Sequence, residues 1–140
     1  MKECLPDGHS DFLLRYHIAW VTKNGEKVLT GDIGLALRDI IRRICAKEKV
    51  DVISGRIAAD HVRLFLSAKP NVRLSELARQ LKGKTSHFLL KSYPSLQKRY
   101  WEGRLWARGY FCRTSGNVTD ESIQNYVESR SADEETFIVE

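Results

Sequence analysis

The densest run of side chains with chemical potential is Asp60-His61-Val62-Arg63, which continues into Leu64-Phe65-Leu66. Its alternation reads as a half-buried strand, with Val62, Leu64 and Leu66 on one face and His61, Arg63 and Phe65 on the other. A histidine and an arginine therefore stand side by side on the face away from the aliphatic one. Arginine carries five donors and no lone pair, so this face suits an anion. On a regular strand Asp60 points to the opposite face from His61. Near the other end of the chain lie Tyr126 and Arg130, four residues apart and so on one face of a helix.

Each of these residues also has a plain reading. His61 can be a solvated polar residue on an exposed sheet face. Tyr126 can pack, since Ile123 and Val127 share its helical side. The run Lys82, Lys84, Lys91, Lys98, Arg99, Arg104 and Arg108 can be a soluble surface. Interleaved with that run, however, are Tyr93, Tyr100, Trp101, Trp106, Tyr110 and Phe111. Cations for phosphates beside rings for unstacked bases are what binding of single-stranded nucleic acid requires. No Walker loop, dinucleotide fingerprint or zinc-helix motif occurs.

The elements that must position these residues follow from periodicity and punctuation. Residues 1–11 form a polar arm broken by Pro6 and Gly8. A first strand is predicted over 12–22, ended by the Asn24-Gly25 turn. Ile33, Leu37, Ile40, Ile41 and Ile44 recur at helical spacing, with Thr30 or Asp32 as a cap. A strand over 50–59 pairs with the His61 strand as a hairpin. A second helix spans 74–92, interrupted by Gly83 at about 1 kcal/mol relative to alanine. A loop rich in Lys98, Arg99, Trp101, Arg104 and Trp106 leads to a strand over 108–114. Thr119 caps a last helix that carries Ile123, Tyr126 and Val127, and residues 131–140 are an acidic tail. This order predicts an α+β fold, a ferredoxin-like sandwich with an antiparallel sheet and helices on one face.

Composition is consistent with a single globular domain of 140 residues, 42% hydrophobic and 29% charged. The net charge of +5 makes an anionic partner plausible. Three widely spaced cysteines, Cys4, Cys45 and Cys112, exclude a complete disulfide framework and contain no CxxC pair. No apolar run approaches the ~18 residues of a membrane span. A reducing cytoplasm is the expected setting, with no membrane partner.

Taken together, several motifs resemble one family. They are Tyr16-His17-Ile18-Ala19-Trp20, Asp60-His61-Val62-Arg63-Leu64-Phe65-Leu66, Leu81-Lys82-Gly83-Lys84-Thr85-Ser86, Leu105-Trp106-Ala107-Arg108-Gly109-Tyr110-Phe111, and Gly116-Asn117-Val118 with Tyr126-Val127-Glu128. The family is the small single-tyrosine HUH transposases of bacterial insertion sequences, the IS200-like class, and the resemblance covers residues 12–130. It implies a homodimer that cuts and rejoins single-stranded DNA at hairpin-marked ends. It implies a tyrosine nucleophile at Tyr126, forming a 5′-phosphotyrosine link, and a divalent metal, usually magnesium, at the scissile phosphate. The family holds that metal with two histidines flanking one hydrophobic residue and a glutamine one helical turn after the tyrosine.

The resemblance matches His61 to the first metal-binding histidine, but places Arg63 at the second and Arg130 at the glutamine. A guanidinium cannot ligate a cation. At ~4 Å and an effective dielectric near 20, each would repel a metal by about 4 kcal/mol per unit of its charge. Three functions follow. The chain binds single-stranded or hairpin DNA through Lys82, Lys84, Arg104, Arg108, Arg63 and Arg130, with metal-dependent cleavage impaired or lost. Alternatively, it is an active transposase in which guanidinium groups replace the metal and Tyr126 still attacks. The third is a purely structural or protein-interaction role.

Overall fold

The computed structural model describes residues 13–114 and 137–140. Strand β1 (Leu14–Val21) leads through a short 3-10 turn at Lys23–Gly25 to helix α1 (Gly31–Lys47). Strands β2 (Asp51–Ala58) and β3 (His61–Ala68) form the hairpin, followed by α2 (Leu74–Ser92), α3 (Pro94–Arg99), β4 (Phe111–Thr114) and β5 (Phe137–Val139). The strand order is β4-β1-β3-β2-β5. The first four strands pair antiparallel in the ferredoxin-like arrangement, and β5 joins β2 in parallel. The α+β sandwich is therefore as expected, while the sheet is mixed rather than wholly antiparallel.

Two local differences have plain causes. The segment after α2, expected as a loop, begins with α3. Pro94 starts that helix, where its missing N–H would have had no intrahelical partner and its fixed φ is already helical. The acidic tail contributes β5, because Phe137-Ile138-Val139 is a short run of strand-forming residues after an acidic stretch. Gly34 and Gly55 make room for it. A Cβ at Gly34 would stand 2.6 Å from Val139 Cγ1, and one at Gly55 2.9 Å from the Phe137 ring. The arm and the predicted last helix lie outside the described residues.

The aliphatic face of the sheet and the apolar stripes of α1 and α2 form the core. Ile18, Trp20, Ile57, Val62, Leu64 and Leu66 meet Leu37, Ile41, Leu77, Leu81 and Leu89, all essentially excluded from solvent. Each such side chain contributes about 1.5–3 kcal/mol by leaving water. The Asn24-Gly25 turn is formed as predicted, with both residues in the left-handed region (φ 61 and 66). Thr30 occupies the N-cap of α1 by position, without a side-chain capping bond. Gly83 leaves α2 continuous.

Candidate nucleic-acid interface

Burial confirms the alternation of β3: Val62, Leu64 and Leu66 are buried, whereas His61, Arg63 and Phe65 stand on the side away from the helices at intermediate exposure. The register of the sheet then decides their neighbours. Ala19 on β1 lies opposite Arg63 and also opposite Phe111 on β4. Across the hairpin, Arg63 lies opposite Arg56. One row thus runs Phe111, Ala19, Arg63, Arg56, and Ile138 completes it on β5. His61 sits in the next row, between Val21 and Ala58.

Asp60 departs from expectation. It falls in the two-residue turn between β2 and β3 rather than on the strand, so strand alternation does not govern it. Its carboxylate is 2.8 Å from His61 Nδ1. The turn is fixed by backbone bonds from Thr22 N–H to the Asp60 carbonyl and from Leu29 N–H to the Ala59 carbonyl. An ionised carboxylate only accepts, so Nδ1 carries the proton in this pair and the other ring nitrogen is the one left to meet a ligand. The hydrogen bond with His61 holds the Asp60 carboxyl below the usual carboxylate range.

One row further along the face, His17 is buried and stacks on Phe65, with ring centroids 4.5 Å apart and planes 15° apart. Burial, then the positive charges of Arg63 and Arg113, push its pKa down to about 4, so it is a neutral ring at neutral pH. His61, Arg63, Arg56, Arg108, Phe111 and Glu140 line an open cleft of about 910 Å³ over this face. Glu140 Oε2 pairs with Arg56 Nη1.

A second cavity, of about 660 Å³, lies between α2 and the segment after α3. Lys82, Lys91, Arg104 and Arg108 line it, with Tyr100, Trp101 and Trp106. Lys82 Nζ donates to the carbonyls of Ala107 at 2.8 Å and Gly109 at 2.5 Å, so it ties this segment to the helix as well as adding charge. Burial and then the nearby Arg104 lower its pKa. Trp101 is 79% exposed, an unusual state for so large a ring. Lys84 points elsewhere, into a groove between α1 and α2 with Arg43 and Arg79.

Of the predicted site residues, Lys82, Arg104 and Arg108 therefore come together. Arg108 lines both the groove and the cleft, and so links them to Arg63 and His61. Lys84 does not join them. Tyr126 and Arg130 lie outside the described residues. Sequence reading missed Arg56 and the Asp60–His61 contact. The two-residue hairpin turn carries the signal for the first, because it sets Arg56 opposite Arg63.

A magnesium ion wants several oxygen ligands. The described side chains around His61 offer one imidazole, and the nearest carboxylate, that of Asp60, is engaged with it. In the next row two guanidinium groups, Arg63 and Arg56, lie opposite each other. Among the described residues no three His, Cys, Asp or Glu side chains gather as a metal site requires. That donor set does not fit the ion. No helix among the described residues is long and apolar enough to cross a membrane.

Comparisons with known proteins agree on one family. The family model described as "Transposase IS200 like" matches residues 10–130. The ISDra2 transposase TnpA of Deinococcus radiodurans is 35% identical over 119 residues, covering 85% of each chain. The transposase of insertion sequence element IS200 from Salmonella typhimurium is 29% identical over 119 residues, 85% of this chain and 78% of that one. Among solved structures, a Deinococcus radiodurans chain described as a transposase superposes with a TM-score of 0.72 at 29% identity, covering 95% of this chain and 100% of that one. A REP-associated tyrosine transposase bound to a REP hairpin shares the fold, with a TM-score of 0.62 at 10% identity over 91% of this chain and 69% of that one.

Proposed function

The chain belongs to the IS200-like transposase family, and from that premise we propose that it is a DNA-binding protein of the single-tyrosine HUH class whose metal-dependent cleavage is impaired or lost. The observation that carries this reading is the direct opposition of Arg63 and Arg56 beside His61, where the family's metal would sit. Two guanidinium groups there repel a cation and attract a phosphate. Lys82, Arg104 and Arg108 with the exposed Trp101 supply a basic and aromatic groove for single-stranded or hairpin DNA. The fold neighbour bound to a REP hairpin supports that choice of ligand.

The active unit in this reading is a homodimer. β4 is a four-residue edge strand of the described sheet, and pairing with a second copy would satisfy its open backbone groups. A mass measurement that finds only monomer at high micromolar concentration refutes the dimer. Free thiols at Cys45 and Cys112 fit a reducing cytoplasm.

The decisive experiment incubates the protein with single-stranded DNA carrying hairpin ends, with and without magnesium, followed by a denaturing gel. Binding without a covalent adduct is expected. Arg63→His with Arg130→Gln should restore metal affinity, and any cleavage regained should vanish on adding Tyr126→Phe. A magnesium-dependent adduct in the unaltered protein would instead establish an active transposase working through a 5′-phosphotyrosine at Tyr126.

A further inference from the structure

We infer that the open face of the sheet is a metal-free site for one phosphodiester group, clamped by Arg56 and Arg63, and that the Glu140 carboxylate occupies its Arg56 half until a strand displaces it. The inference rests on the proposed DNA-binding reading only for the source of the phosphodiester.

Like charges placed directly opposite on neighbouring strands are unfavourable. Arg56 and Arg63 are such a pair, held by the hairpin register. An anion beside the pair offsets that repulsion, and Glu140 supplies one through its ion pair with Arg56. The delivery is structural. β5 runs parallel to β2, Ile138 pairs with Arg56, and the Glu140 backbone N–H donates to the Ile57 carbonyl at 2.7 Å. A carboxylate and a phosphodiester share the feature that a guanidinium reads: one negative charge spread over two oxygens that accept a forked pair of hydrogen bonds.

The surroundings have the shape of a binding site. Ala19 opposite Arg63 and Ala58 opposite His61 are too short to fill the space above them, which leaves the cleft of about 910 Å³. Arg108 adds a third cation at the mouth shared with the groove on α2. Phe111 and Tyr110, each 41% exposed, form an aromatic wall on which a base next to the clamped phosphate can lie.

The test uses a ligand too short to span from the groove. The dinucleotide d(TpT) is titrated at constant ionic strength while the arginine Nε–H resonances are followed by NMR. Arg56 and Arg63 should shift together. Glu140→Gln should tighten d(TpT) binding at least fivefold, and Arg56→Ala in that background should weaken it at least tenfold. Arg56→Lys, which keeps the charge and the strand but not the fork, should recover only part of the loss. Inorganic phosphate should bind at least tenfold more weakly than d(TpT), because it cannot lay a base on Phe111. Arginine signals unmoved by d(TpT) in both the unaltered protein and Glu140→Gln would overturn the clamp. Equal affinity of those two proteins would overturn the role of Glu140, and equal affinity for inorganic phosphate would overturn the phosphodiester assignment. A parallel titration with hairpin DNA keeps the two readings separate: its failure strikes the DNA-binding reading, whereas the d(TpT) result decides the clamp alone.

Discussion

The indole N–H of Trp106 donates to Thr85 Oγ1 at 2.9 Å inside the core, and the same hydroxyl donates to the Leu81 carbonyl at 2.5 Å. One threonine thus joins the turn of α2 to the segment that walls the basic groove, with both its roles as donor and acceptor used. The Leu105 backbone N–H adds a bond to Ser86 Oγ at 3.2 Å.

Thr85→Val should therefore cost more than a lost surface bond. It leaves the buried indole N–H without an acceptor, a penalty of about 1–3 kcal/mol. Urea unfolding is expected to show that loss, and Trp106→Phe in the Thr85→Val background should recover part of it. If Thr85→Val is neutral, the hydroxyl is not what holds the groove wall.

Trp101→Ala should weaken binding of hairpin or single-stranded DNA by about 1–3 kcal/mol and leave the salt dependence alone, because a ring stacks but does not release counterions. Arg104→Ala should lower affinity and also flatten the slope of log K against log salt by about one unit. Lys84→Ala should do less of either, since Lys84 lines the other groove. Fluorescence anisotropy at several salt concentrations separates the three.

Gly34→Ala should loosen β5. Alanine favours α1 by about 1 kcal/mol over glycine. Against that gain, its Cβ would press on the branched Val139 side chain, where overpacking costs about 1–3 kcal/mol. Hydrogen exchange at residues 137–140 should accelerate while the core strands stay protected. The same variant should bind d(TpT) more tightly, because Glu140 leaves with the strand. Unchanged exchange at β5 would show that Val139 yields instead.

Acid should destabilise the fold through His17. Its folded pKa of about 4 lies below its unfolded value near 6.5, so between those values the unfolded chain binds the extra proton. Stability is then undiminished above pH 6.5 and falls as the pH drops towards 4, by up to about 3 kcal/mol. His17→Phe, which keeps the ring on Phe65, should remove this portion of the pH dependence. The comparison of denaturation midpoints at pH 7 and pH 4.5 checks it, and equal slopes in the two proteins would contradict it.

Much of this molecule could be read from its residues, for physical reasons. Periodicity is local, so Val62, Leu64 and Leu66 declare a strand and Leu37, Ile40, Ile41 and Ile44 a helix before any tertiary contact is known. The types of residue at 61 and 63 also decide what they can ligate, since a guanidinium has no lone pair in any fold. Tertiary structure decided what depends on register and on small energy differences. Strand alternation placed Asp60 on the wrong side of His61, because a turn residue obeys hydrogen bonds from Thr22 and its neighbours rather than the pleat. The opposition of Arg56 to Arg63 came from hairpin pairing, and the arrival of Glu140 at Arg56 from a three-residue parallel strand admitted by Gly34 and Gly55. A strand that short has little local signal; it forms because the edge of β2 and the surface of α1 are there to receive it.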